Sequence, residues 1–242
     1  MLAWRQAINA AQKTPEGRAR IALAFTIGQW PDWVNSTVPL ADRDDASALQ
    51  LSMYRTLYEF SREPGGLSRF MFESAADHRL TQPSWNTDVD YNQFFDNGNE
   101  FNKQAVRQLY EEADLDLETD LNRINAFPRV TADDQALEFW RVPGRNVQGN
   151  PKIPVLRIHD IGDPYLPVSM VQGYSDLVRA NGKDDLYRTA FTRGGTHCGF
   201  TVAESAAAIE TLERRLNTGS WGDTAPEQLN ALAGSLDESS AS

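Results

Sequence analysis

The sequence predicts an α/β protein in which a large α-helical region precedes one short unit of parallel strands and helices. Two observations predict this class. Between residues 1 and 150 the apolar residues recur at helical spacing, whereas residues 153–217 read strand, helix, strand, helix. We therefore expect a helical region over 1–150, an α/β segment over 151–222 and a flexible tail over 223–242.

The helical region opens with two short helices. Leu2, Ala3, Ala7 and Ala11 indicate a first amphipathic helix. Thr14 then serves as N-cap of a second helix, with Pro15 at its first helical position. The stretch "DDASALQLSMYRTLYEFSRE" predicts a third helix because its apolar residues share one face: Leu49, Met53, Leu57 and Phe60.

Further helices are expected around 101–113, 116–126 and 132–141. The segment before them, "TQPSWNTDVDYNQFFDNGNEF", is predicted to be a polar-aromatic loop. Most aromatic residues of this half are expected in the core, with one or two lining an apolar pocket: Trp30, Trp33, Trp85, Phe94, Phe95 and Trp140.

The α/β segment alternates two short strands with two helices. "IPVLRIHD" and "DLYRTAFT" are short β-rich runs, and "PVSMVQGYSDLVRANG" between them has helical spacing. Thr201 and Glu204 form a capping box at the start of the last helix. Its expected buried stripe is Ala206, Ile209, Leu212 and Leu216.

Asp163 and His197 each follow the carboxyl end of one of these strands. A right-handed crossover makes the strands parallel, so both residues belong at the edge where sites lie in open α/β sheets. A histidine that acts as general base needs a carboxylate on its other ring nitrogen. We therefore expect Asp163 and His197 to form an acid–base pair that activates a nucleophile.

These residues resemble the C-terminal half of the α/β-hydrolase family. "PVLRIHDIGDPYLPV" is similar to the penultimate core strand and its acid loop, and "RGGTHCGFT" to the terminal histidine loop. The resemblance implies a serine hydrolase of esters, peptides or amides without a cofactor. His197 would be its base, Asp163 its acid, and residues 1–150 its helical cap.

The family's nucleophile elbow, G-x-S-x-G, does not occur in this sequence. The nearest string, Gly66-Leu-Ser68-Arg-Phe70, lacks the second glycine. We therefore expect the nucleophilic serine, the oxyanion hole and the remaining strands to lie upstream of Met1 or on a partner chain. The isolated chain is then predicted to have little or no activity.

Each candidate residue also has a structural interpretation. His197 could be an ordinary loop histidine and Asp163 a turn-capping residue. We expect Asp160 to be a solvated loop residue, His159 a core histidine, His78 a surface residue and Cys198 a small buried side chain. A metal site of His159, Asp160, Asp163 and His197 is not favoured, because its spacing matches no standard cluster.

Composition narrows the function classes. The 242-residue chain has a net charge of −11 and no basic stripe, which argues against nucleic acid as a partner. No apolar run approaches the length of a membrane span, and the single cysteine leaves the compartment open. Two alternatives to an enzyme remain: a helical binding or interaction protein, and a degenerate hydrolase-like protein that binds small ligands.

Overall fold

The computed structural model of the chain describes residues 2–31, 40–60, 82–163, 166–194 and 197–240. These residues form two compact units, one ending at Asn146 and the other beginning at Val147. Within these ranges, no helix is both long and apolar enough to cross a membrane.

The described residues of the first unit form helices joined by loops. Asp90 caps a short helix with its side chain inside the segment predicted to be a loop, so that prediction is wrong for residues 91–96. The helices are α1 (Leu2–Ala11), α2 (Pro15–Ile27), α3 (Ala46–Phe60), α4 (Tyr91–Asp96), α5 (Glu100–Glu112), α6 (Leu117–Ala126) and α7 (Asp134–Arg141).

Helix α2 lies at the centre of this unit and packs against α1, α3 and α5. As predicted, Thr14 accepts a hydrogen bond from the Gly17 backbone and Pro15 begins the helix. Helix α3 buries Leu49, Met53 and Leu57, three of the residues predicted on its apolar face. The face that α3 turns to the core therefore follows from the helical periodicity of its sequence.

The aromatic residues divide between core and surface. Phe95 is buried, whereas Phe94 is exposed and Trp85 is exposed where it lines a cleft, so a core position is wrong for Phe94 and the pocket position holds for Trp85. Trp33 lies outside the described residues. Phe94 and Phe95 are adjacent on the short helix α4, and adjacent helical residues do not share a face.

The second unit contains a two-stranded parallel sheet. Strand β1 (Val155–Asp160) pairs with β2 (Tyr187–Thr192) from Val155 opposite Tyr187 to Asp160 opposite Thr192. The connection is helix α8 (Val168–Ala180) followed by a 3₁₀ turn (Asp184–Leu186). The structure is thus mostly helical with one small parallel sheet, which is compatible with a partial α/β fold.

Helices lie on both faces of this sheet. Tyr187 of β2 contacts Tyr174 of α8 edge to face, with ring centroids 5.2 Å apart. On the opposite face, Ile158 and Ala190 line one cavity together with Ala207 of helix α9 (Val202–Thr218). This division follows from the alternation of side chains along a strand.

Two predictions for the C-terminal part are wrong. Helix α9 buries Ala207 and Thr211, while Ile209 and Leu216 of the predicted stripe are about 60% exposed. Where the sequence predicts a flexible tail, Pro226–Ser240 form helix α10, which packs on α9. Pro226 suits a first helical position, and Leu and Ala residues that favour helix follow it.

Candidate active site

The carboxyl ends of the two strands are continued by paired loops. The Ile161 N–H donates to the Thr192 carbonyl at 3.0 Å, and the Gly162 N–H donates to the Gly194 carbonyl at 3.0 Å. The loop after β1 therefore remains hydrogen-bonded to the loop after β2 beyond the last sheet pair. This pairing brings the residues that follow each strand to the same edge.

Asp163 and His197 meet at this edge. His197 Nδ1 lies 2.8 Å from Asp163 Oδ2, and 34 residues separate them in the chain. An ionised carboxylate only accepts hydrogen bonds, so Nδ1 carries the proton and Nε2 is the basic nitrogen. The structure thus brings together the two residues that the sequence predicts as a pair.

The environments of the two side chains differ. The Asp163 side chain is 5% exposed, whereas that of His197 is 45% exposed. Asp163 Oδ1 also accepts a hydrogen bond from the Leu166 N–H at 3.1 Å. The Asp163 N–H donates to the Asp160 carbonyl at 3.1 Å. The acid is therefore held from several sides while the imidazole reaches solvent.

Asp160 is buried, and the expectation of a solvated loop residue is wrong. It is the last residue of β1 and only 2% exposed. One carboxylate oxygen accepts a hydrogen bond from the Thr192 hydroxyl, and the other accepts the Gly199 N–H at 2.9 Å. Asp160 thus joins both ends of the loop that carries His197, a role that the sequence analysis missed.

Gly194 makes room for the Asp160 carboxylate. A Cβ atom at position 194 would lie 2.1 Å from Asp160 Oδ1, which no side chain tolerates. A signal for this role exists in the sequence, because Asp160 shares its strand parity with Leu156 and Ile158. That parity places the carboxylate on the same covered face as two apolar residues.

His159 lies within the fold, as expected for a core histidine. It is 4% exposed, and its ring meets that of Phe191 edge to face at 6.3 Å. Burial lowers the pKa of His159, and the positive charge of Arg157 lowers it further. Its Nε2 has no hydrogen-bond partner among the described residues.

Cys198 is exposed, so the expectation of a small buried side chain is wrong. Its backbone has a positive φ of 58°, a left-handed conformation that is uncommon for residues other than glycine. His78 and the string Gly66–Phe70 lie outside the described residues. In the parts of the chain that the structure describes, no group of three or more His, Cys, Asp or Glu residues is placed to hold a metal ion.

Comparison with known proteins adds one relative. The chain is 52% identical over 231 residues to a protein named o-phthalyl amidase from Xanthobacter agilis. The chain resembles part of an amidase. The match covers 96% of this chain but 51% of the relative, so the chain spans about half of the relative's length. No family model and no solved structure matches the chain.

Proposed function

We propose that this chain is the helical cap and C-terminal core segment of a serine α/β-hydrolase that cleaves amides. The observation that carries the proposal is the 2.8 Å hydrogen bond between His197 Nδ1 and Asp163 Oδ2 at the carboxyl edge of parallel strands. In this proposal residues 1–150 are the cap, residues 151–222 belong to the core, His197 is the general base and Asp163 is the acid that orients it.

The geometry supports a defined proton path. Asp163 holds the proton on Nδ1, so Nε2 accepts the proton of a serine hydroxyl as that oxygen attacks the amide carbon. Nε2 then gives this proton to the departing amine as the C–N bond breaks. Water attacks the resulting acyl-enzyme, again losing its proton to Nε2, and the regained serine hydroxyl receives it.

The nucleophile is proposed to come from a segment outside this chain. The sequence has no G-x-S-x-G elbow, and the chain matches only about half of the relative. Exposed apolar side chains also suit a surface that further protein covers, with Phe191 51%, Val202 86% and Ile209 60% exposed. The described sheet has two strands, fewer than an independently stable sheet needs.

The proposed substrate class is an amide of an aromatic carboxylic acid. It is taken from the name of the relative, o-phthalyl amidase, at 52% identity. The alternative of a helical binding protein does not require Asp163 and His197 to be adjacent. Their contact at 2.8 Å therefore favours the enzyme over that alternative.

The experiment adds the proposed nucleophile-bearing part of the hydrolase to this chain. The chain is assayed on an o-phthalyl amide alone and after co-expression with the portion of the Xanthobacter agilis relative that it does not match. We expect little turnover alone and clear turnover from the combination. In the combination, His197→Gln should lower kcat by about 10⁴-fold or more, because no other group takes the serine proton.

Asp163→Asn in the same combination should lower kcat by about 10⁴-fold. The matched control is Asp176→Asn, an exposed carboxylate paired with Arg179 on α8, which should leave kcat unchanged. A combination whose turnover survives His197→Gln would contradict the assignment. Full turnover by the chain alone would contradict the proposed position of the nucleophile.

A further inference from the structure

The helical unit contains a cleft that the proposed proton chemistry does not use. It has a volume of about 390 Å³ and lies between the segment after residue 82 and helix α7. Its lining includes Ser84, Trp85, Leu137, Trp140, Arg141 and Asn146. Two indole rings and one cation in so small a cleft favour a ligand that is both aromatic and anionic.

The backbone on either side of Trp85 is held by hydrogen bonds. Asp133 accepts the Gln82 N–H through its side chain at 2.5 Å and donates its own N–H to the Gln82 carbonyl at 2.8 Å. Beyond Trp85, Asn86 donates its N–H to Val130 at 3.0 Å and accepts the Val130 N–H at 2.6 Å. Trp85 is therefore anchored on both sides, although its own side chain is 58% exposed.

The opposite wall is a packed aromatic cluster. Phe139 meets Trp140 edge to face with ring centroids 5.1 Å apart. The guanidinium of Arg145 lies 4.1 Å from the centre of the Phe139 ring and donates a hydrogen bond to the Phe139 carbonyl at 3.2 Å. The ring of Trp140 thus already contacts a neighbouring ring that Arg145 packs against, which lowers the cost of ordering it for a ligand.

The charge of the cleft is positive in a chain whose net charge is −11. Arg141 is the one charged side chain among the described residues that line it. Within the described ranges, neither Arg141 nor Arg145 forms an ion pair with a carboxylate. A guanidinium without an acidic partner beside two indoles is suited to a bidentate contact with a ligand carboxylate.

We propose that this cleft binds an aromatic carboxylate, with the ring against Trp85 and Trp140 and the carboxylate on Arg141. The proposed function supplies only the choice of probe, since its acid product is an aromatic carboxylate. Binding by the cleft does not require turnover. Failure of the amidase proposal therefore leaves this proposal standing, and the reverse also holds.

The experiment titrates phthalate into the full chain and follows the indole N–H signals of its six tryptophans by NMR. We expect saturable shifts of the Trp85 and Trp140 signals, with a Kd on the order of a millimolar for so small a ligand. The variant Trp85→Phe identifies the Trp85 signal. The signal of Trp4, an exposed tryptophan of α1, should not move.

Substitutions and ligand analogues test the contact with the carboxylate and the contact with the aromatic ring separately. Arg141→Gln should weaken phthalate binding about tenfold or more, whereas Arg55→Gln, at an exposed position of α3, should not change it. Benzoate should bind and cyclohexanecarboxylate should bind more weakly, because only the first can stack. Absence of saturable shifts, or equal affinity in Arg141→Gln, would overturn the proposal.

Discussion

Asp160 stabilises the loop of His197 from within the fold. Both of its oxygens are used, one by the Thr192 hydroxyl and one by the Gly199 N–H. These partners lie before and after His197 in the chain, so a single buried carboxylate holds both ends of the loop. Its burial is tolerated because each oxygen accepts a hydrogen bond.

The close fit of Gly194 against Asp160 gives a prediction. Gly194→Ala should lower the free energy of unfolding of β1 and β2 by about 1–3 kcal/mol, because the added Cβ would lie 2.1 Å from Asp160 Oδ1. Native-state hydrogen exchange of the strand amides measures this change.

Gly173→Ala in α8 is the matched control for this substitution. No atom lies within 4 Å of its added Cβ, and alanine favours helix, so stability should stay equal or rise. If the strand amides were equally protected from hydrogen exchange in Gly194→Ala and in the original chain, the loop would accommodate the added Cβ without loss of stability.

For single residues, the sequence predicts which residues lie together at the strand ends better than it predicts which side chains are buried. Asp163 and His197 could be paired because each follows a strand and a parallel crossover brings strand ends together. The burial of Asp160 and the exposure of Cys198 could not be read in the same way. The burial of Asp160 depends on hydrogen bonds from Thr192 and Gly199, which are distant from it in the chain, and the exposure of Cys198 depends on the conformation of the loop after β2.

Among the elements of the helical unit, α2, α5 and α6 are joined by one carboxylate. Asp120 of α6 is 8% exposed and accepts hydrogen bonds from Arg20 at 2.8 Å and from the Tyr110 hydroxyl at 3.2 Å. Arg123 adds a third contact at 3.3 Å. Burial raises the pKa of Tyr110, and the negative charge of Asp120 raises it further, so the phenol stays protonated and donates.

Loss of this carboxylate should loosen the helical unit. Asp120→Ala is expected to lower its free energy of unfolding by about 1–3 kcal/mol, since Tyr110 and Arg20 both lose an acceptor. Tyr110→Phe should cost about 1 kcal/mol because it removes one of the contacts. Urea denaturation of each variant measures both changes.

The matched control is Asp176→Ala on α8. Asp176 pairs with Arg179 at the surface and should contribute no more than about 0.5 kcal/mol. If Asp120→Ala were as small in effect as this control, the three-helix contact would not stabilise the unit.

The elements that agree with the sequence prediction each carry a clear local signal. Helix α2 has the Thr14 cap and Pro15, helix α3 has an apolar period, and the strands are short β-rich runs. Helix α4 has only 6 residues, too few to show a period, and its one clear signal is the Asp90 cap. The stripe of α9 was misplaced because Ile209 and Leu216 are apolar yet lie on its exposed side.

For the whole molecule, the chain segment that joins the two units is expected to be open to proteolysis. Residues 141–148 are exposed, begin at the last residue of α7 and include a glycine with a positive φ at position 144. Arg141 and Arg145 give trypsin two sites there. We expect limited trypsin digestion to accumulate a fragment that begins at Val142 or Asn146 and contains both strands.

The reason is the contrast between this segment and the α/β unit that follows it. Arg157 and Arg188 lie within paired strands, where the backbone is held by the sheet and cleavage requires local unfolding. Mass spectrometry of the digest identifies the fragment, and the double variant Arg141→Gln, Arg145→Gln should prevent its formation. Cleavage after Arg157 or Arg188 before the fragment appears would mean that the strands open more easily than the junction, and the division at residue 146 would not be the first structural boundary of the chain.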